Sequence, residues 1–208
     1  MSGIDEVIRK ILERRVSVPN TRSLLVGISG IDGCGKGYLA RQLEAHLALH
    51  GTIAAIVNVD GWLNLPEKRF AANAPAENFY ENAIRFDEFF ARLVMPLRER
   101  RAVHLVADFA EETASHYRQH VYDFKEVSVV LVEGIFLFKP QYRKYFDLAI
   151  WIDCSFPTAL ARAISRAQEG LSPANTIAAY ETIYFPAQRI HLALDHPREK
   201  ADLIFENN

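Results

Sequence analysis

An apolar segment, Ser23-Leu24-Leu25-Val26-Gly27-Ile28-Ser29, runs through the glycine-rich stretch GIDGCGKG (residues 30–37) into a segment with Leu39, Leu43 and Leu47 on one helical face. This strand–turn–helix succession constrains the fold more than any other part of the chain. An all-apolar strand needs cover on both faces, as in a parallel sheet. Gly30, Gly35 and Lys36 stand at the spacing G-x-x-x-x-G-K-[ST]. There the glycines let backbone N–H groups curl around phosphate oxygens, and the helix start adds donors and a positive dipole end. The eighth position normally carries a hydroxyl that ligates Mg²⁺; here it is Gly37. The plain alternative is a tight turn that merely contains glycines and a lysine, and the flanking strand and helix argue against it.

The rest of the chain repeats the alternation. Residues 4–14 place Ile4, Val7, Ile8, Ile11 and Leu12 on one helical face. Gly51 ends the helix of residues 38–50, and residues 52–59 read as a strand ending at Asp60. Residues 78–95 carry a helical pattern through Phe79, Ala83, Phe86, Phe90 and Leu93, and residues 103–106 form a short strand before Asp108. Strands follow at 127–132, ending at Glu133-Gly134, and at 148–152, ending at Asp153. Residues 157–166 are helical, and residues 203–205 are a last strand. Strands alternating with helices imply βαβ crossovers. The expected fold class is therefore α/β, three-layer, with a mostly parallel sheet and helices on both faces. Without repeats or linkers, residues 1–208 read as a single domain, with residues 1–20 as an N-terminal helical extension.

Composition excludes several functions. With 24 basic and 26 acidic residues the net charge is −2, which offers no electrostatic footprint for nucleic acid. No apolar run approaches the roughly 18 residues of a membrane span, and the charged N-terminus is no secretory signal. Cys34 and Cys154 are too far apart in sequence to form a disulfide framework or a zinc site alone. A cytoplasmic protein with small-molecule partners is expected; a homo-oligomer stays open.

The candidate chemistry lies at strand ends, where open α/β sheets bind ligands. Residues Gly30, Ile31, Asp32, Gly33, Cys34, Gly35, Lys36 and Gly37 form the expected phosphate loop, with Lys36 reaching the β- and γ-phosphates. Glu133 is placed to hold Mg²⁺ directly or through water; otherwise it is an ordinary strand-end acid. Asp60 either accepts a hydroxyl proton and orients the oxygen for attack or caps a turn with Gly61. The Cys34 thiol, beside a helix start and a lysine, is expected to be more acidic and more reactive than that of Cys154; it is otherwise a small side chain in a crowded turn.

GISGIDGCGKGYLARQL, NVDGW, VVLVEGIFLF, YFDLAIWID and HPREKADLIFEN follow one another as in the uridine kinase-like branch of the P-loop kinases. That branch is related to phosphoribulokinase and to one type of pantothenate kinase, and the chain resembles it from about residue 23 onward. The resemblance implies a P-loop NTPase fold with a short lid, and ATP-dependent phosphoryl transfer to a hydroxyl with Mg²⁺. It places Asp60 on the catalytic base, near the metal, and Glu133 on the magnesium-associated glutamate. Arg162 and Arg166 lie in the helix leading into an arginine lid, although Ala159 and Ala163 occupy positions that often hold arginine. The family's nucleoside-binding stretches correspond to Asn78-Phe79-Tyr80-Glu81-Asn82 and Ala107-Asp108-Phe109, and His116 stands in for a base-contacting histidine. Trp62, Tyr80 and Phe109, as aromatic rings that can stack on a planar base, and His116 are the expected acceptor contacts. A nucleoside leads as acceptor; pantothenate-like and sugar-phosphate alcohols follow. An ATP-binding regulator with little catalysis and a scaffold without nucleotide are the readings from other classes.

Overall fold

The structure, a computed structural model, describes residues 3–70, 73–166 and 170–208. Helix α1 (Ile4–Ser17) buries Val7, Ile8 and Ile11 and packs on β1 (Leu24–Gly30) and α2 (Lys36–Leu49). Every residue of β1 is buried, as its unbroken apolar run requires. The chain continues through β2 (Ala54–Asn58), α3 (Pro66–Arg69), α4 (Pro75–Asn82), α5 (Phe86–Phe89), α6 (Met95–Arg100), β3 (Val103–Phe109) and β4 (Arg118–Phe124). Then come β5 (Val129–Gly134), α7 (Pro140–Arg143), β6 (Leu148–Asp153), α8 (Phe156–Arg166), α9 (Pro173–Ala179), α10 (Phe185–Asp195) and β7 (Leu203–Glu206).

Five strands form a sheet in the order β2-β5-β1-β6-β7, and each neighbouring pair is parallel. Helices flank it, which is the expected α/β arrangement. Because β1 is central, the glycine turn leaves the middle of the sheet. The register pairs Ile28 and Asn58 with Glu133, so the carboxyl ends of β1, β2 and β5 finish level with one another. Among the described residues no helix is long and apolar enough to cross a membrane.

At the opposite end of β1, Asp147 acts as a clamp. Arg22 donates to both of its carboxylate oxygens (2.7 and 2.9 Å), and Leu25 N donates to it at 2.9 Å. Burial alone would raise the pKa of Asp147, but the Arg22 and Leu25 hydrogen bonds outweigh it and hold the carboxyl below its ordinary value.

Three elements differ from the sequence expectation. The short strand at 103–106 is the first part of β3, which pairs antiparallel with β4 in a separate ribbon. β4 reads RQHVYDF: Tyr122 and Phe124 pack against the core from one face, but Val121 points out and is exposed, so no continuous apolar run announces the strand. The helix of residues 78–95 is broken between α4 and α5, where Ile84 bridges to Leu63 and Arg85 N donates to Trp62 O at 2.9 Å. Residues 173–195, assigned no structure from sequence, form α9, a π-helical turn over Tyr180–Tyr184, and α10. Pro173 opens α9, where proline is tolerated, and Pro186 directly follows the π-helical turn, which carries the helical backbone on into α10 without a break.

Candidate active site

The glycine turn is held from both sides. Gly33 and Gly35 have φ of +77° and +98°, in the left-handed region. A Cβ at Gly33 would lie 2.5 Å from Ala159 O of α8, and one at Gly35 would lie 2.6 Å from Asn207 Nδ2. Asn207, just past β7, donates Nδ2–H to Cys34 O at 2.7 Å. Inside the turn Lys36 is 9% exposed and donates to Ile31 O at 3.0 Å. Asp32 accepts from Gly33 N at 2.9 Å and from the Tyr180 hydroxyl at 2.5 Å.

A cavity of about 480 Å³ opens in front of the turn. Lys36, Gly37, Arg41, Asp60, Glu133, Arg162 and Arg166 line it together with Arg69, Phe79, Glu112, Tyr184 and Gln188. The level strand ends make this possible: Glu133 closes β5, and Asp60 follows its register partner Asn58, whose Oδ1 accepts from Asp60 N at 2.6 Å. Burial, and next the charge of Glu112, push Asp60 up to about 6. Burial and then Asp60 push Glu133 up to about 7. Burial opposes the charge of Lys36, but Cys34, Asp32, Glu133 and Asp60 outweigh it and raise its pKa.

These oxygen donors fit Mg²⁺. Hard carboxylates suit a hard cation, and a cation among them offsets both the burial and the mutual repulsion that raise the two pKa values. Among the described residues no three acidic, histidine or cysteine side chains converge as a ready cage, in keeping with an ion that takes few protein ligands beside phosphate and water. A Cβ at Gly37 would lie 3.4 Å from Glu133 Oε1 and 3.5 Å from Arg41 Nη1. A hydroxyl at this position would therefore face the glutamate.

The other sequence-derived residues separate into those that meet here and those that do not. Gly30 packs against Cys34 Sγ and Ile152 O, and Ile31 contributes its carbonyl to Lys36. Cys34 is 0% exposed, and burial pushes its thiol up to about 11 despite Lys36. The expected acidic, reactive thiol is thus overturned, because the turn folds over the sulfur and desolvation exceeds the helix-end effect. Arg162 donates to Asn207 O at 2.8 Å, and Arg166 is exposed at the cavity rim. Residues 167–169, which follow Arg166 on the way to the expected lid, lie outside the described residues.

Trp62, Tyr80, Phe109 and His116 do not line the cavity. Trp62 is 0% exposed and stacks on Tyr122 with centroids 5.9 Å apart. Tyr80 turns away because neighbouring helical residues point about 100° apart: Phe79 faces the cavity, while the Tyr80 hydroxyl donates to Asp195 Oδ2 at 2.6 Å. Phe109 packs over Gly61 beneath Arg118, whose guanidinium is 4.1 Å from the ring centroid. His116 is exposed beside Ser115. The structure instead brings in Arg69, 2% exposed and donating Nη2–H to Glu112 O at 2.8 Å, and Gln188 from α10. A signal for Gln188 exists in the sequence: Thr176, Tyr180, Tyr184, Gln188, His191 and Asp195 recur at helical spacing, and all are buried.

Comparison with known proteins identifies relatives of this chain and of its fold. The model of the phosphoribulokinase / uridine kinase family matches residues 25–206. A uridine kinase from Leuconostoc citreum (strain KM20) is 22% identical over 147 residues, 70% of this chain and 69% of that protein. The structure of a possible uridine kinase from Bacillus stearothermophilus superposes with a TM-score of 0.76 at 20% identity, covering 97% of this chain and 96% of that one. D-glycerate 3-kinase from Cryptococcus neoformans var. grubii gives 0.61 at 13% identity, with 90% and 88% covered. At such identities the structural likeness establishes the fold.

The raised carboxyls predict a pH dependence. A carboxyl whose folded pKa exceeds its unfolded value contributes stability that is fully present below the unfolded pKa and lost as pH rises through the folded one. With Asp60 near 6 and Glu133 near 7, the nucleotide- and metal-free protein should lose stability between about pH 4 and 7. Thermal melting across that range checks this: the combined Asp60→Asn, Glu133→Gln variant should show a flatter profile than wild type. Parallel profiles would contradict the assignment.

Proposed function

The chain belongs to the phosphoribulokinase/uridine kinase family, and on that premise we propose that it transfers the γ-phosphoryl group of ATP to a hydroxyl of a nucleoside-like small molecule. The family consists of P-loop kinases that normally use ATP with Mg²⁺. One observation carries the reading. Lys36, Asp60 and Glu133 meet in one cavity at the carboxyl ends of three neighbouring strands, and the pKa of Asp60 is raised to about 6.

A base poised near the working pH is the efficient one. Asp60 takes the proton of the acceptor hydroxyl as its oxygen bonds to the γ-phosphorus; the bond to the bridging oxygen breaks and ADP departs with that electron pair. The backbone N–H groups of residues 33–37 and Lys36 hold the phosphates, while Arg162 and Arg166 face the transferring group with bidentate donors. Glu133, with Asp60, would hold Mg²⁺, which neutralises charge on the phosphate oxygens when bound. Gly37 withdraws one of about six oxygen ligands that Mg²⁺ takes, and water is a ready substitute. All the other groups for transfer are present, which favours an enzyme over a regulator that only binds ATP.

A non-nucleoside alcohol is the second reading. The observation favouring it is that Trp62, Tyr80, Phe109 and His116, the residues expected to contact a nucleoside, lie outside the cavity.

The test is ATP-dependent phosphorylation across nucleosides, pantothenate and pentoses. Asp60→Asn should reduce turnover by about 10²-fold or more with ATP affinity nearly unchanged; a wild-type rate would remove Asp60 as the base. Gly37→Ser should lower the Mg²⁺ concentration needed for half-maximal rate, since its hydroxyl would stand against Glu133. An unchanged or higher requirement would show that the missing ligand is not limiting.

A further inference from the structure

Gln188 is 1% exposed, lines the cavity, and has no hydrogen-bond partner for either Nε2 or Oε1 among the described residues. Burying both halves of an amide unpaired opposes folding, and a sequence retains such a group where something outside the fold completes its bonds. Its placement is firm. One turn further along α10, His191 Nδ1 lies 2.6 Å from Asp195 Oδ2, and that carboxylate accepts the Tyr80 hydroxyl of α4 at 2.6 Å. This network pins α10 against α4 and holds Gln188 beside Phe79 and Tyr184, whose ring centroids are 5.0 Å apart.

We propose that Gln188 binds the phosphoryl acceptor and selects an uncharged ring compound with two adjacent hydroxyl groups, as on the furanose of a sugar or ribonucleoside. The inference rests on the kinase reading. A primary amide presents a donor and an acceptor side by side. Adjacent hydroxyls satisfy both, one accepting from Nε2–H and the other donating to Oε1. A carboxylate or phosphate can only accept, so it would leave Oε1 buried, unpaired and facing negative charge. Glu112 and Asp60, which line the same cavity, add to that penalty. Arg69 is a cation there, but its Nη2 is committed to the Glu112 carbonyl. The aromatic edges of Phe79 and Tyr184 suit the apolar face of a ring.

The experiment compares wild type with Gln188→Leu on matched acceptors: uridine against 2′-deoxyuridine, D-ribose against 2-deoxy-D-ribose, and pantothenate as the anionic alcohol. Phosphorylation kinetics and the melting temperature of the ligand-free protein are both read. In the variant, KM for the diol acceptor should rise about tenfold or more, the usual consequence of losing a buried polar contact to substrate. KM for ATP and for the deoxy partner should stay within about threefold. The melting temperature should hold or rise, because an apolar side chain of similar size relieves the unpaired amide. Should Gln188→Leu fail to fold, Gln188→Glu retains the shape without the donor and should raise the same KM. The inference is overturned if pantothenate is preferred to the neutral diols. It is overturned if the diol KM is insensitive to Gln188, or if the variant melts lower and loses ATP and acceptor together. If no acceptor is phosphorylated, the kinase reading falls and this inference with it; phosphorylation indifferent to Gln188 removes this inference alone.

Discussion

An ammonium group buried at the carboxyl edge of a parallel sheet is the interaction on which this structure turns. Lys36 opens α2, so its charge adds to the positive end of that helix, at the mouth of a turn whose backbone N–H groups lack helical partners. Burial opposes that charge, and the carboxylates of Asp32, Asp60 and Glu133 restore it. Burial raises the pKa of Asp60 and of Glu133, Glu112 and Asp60 respectively add to it, and Lys36 draws both carboxyls back towards the charged form. The cluster suits a ligand that brings both signs of charge at once, as a polyphosphate with its divalent cation does.

The sheet delivers these groups through register rather than through local sequence. Glu133 pairs with Ile28 on one side and Asn58 on the other. A slip of one residue in either strand would send its carboxylate to the opposite face. The last strand does the same for the far side of the turn: Asp153 pairs with Glu206, which brings Asn207 onto Cys34 O. The phosphate turn is thereby braced by a residue 173 positions along the chain.

Much of this was legible because parallel strands buried on both faces leave unbroken apolar runs. β1, β5 and β6 are such runs, and Glu133 and Asp153 at the ends of β5 and β6 needed only the rule that ligands sit at carboxyl ends. The acceptor side was not legible, for physical reasons. Whether Phe79 or Tyr80 faces the cavity depends on the phase of a two-turn helix, which the Asp195 contact sets from more than a hundred residues away. Trp62 follows Asp60 closely, yet the chain bends into a 3₁₀ turn at Val59–Gly61 and drives the indole into the core. Gln188 lies on a helix whose buried face is largely polar, so hydrophobic periodicity had nothing to report. Cys34 had the right neighbours for an acidic thiol, but accessibility, a three-dimensional property, decided against it.

The measurement that bears most directly on the account is the calorimetric affinity for ATP, with and without Mg²⁺, of wild type and of Lys36→Ala. If the turn grips the phosphates around a buried ammonium, wild type should bind ATP, and the variant should lose about a hundredfold or more in affinity, as expected when a charge-assisted contact disappears from a buried site. Equal affinity in the two proteins would show that the cluster around Lys36 holds the fold together and not the nucleotide.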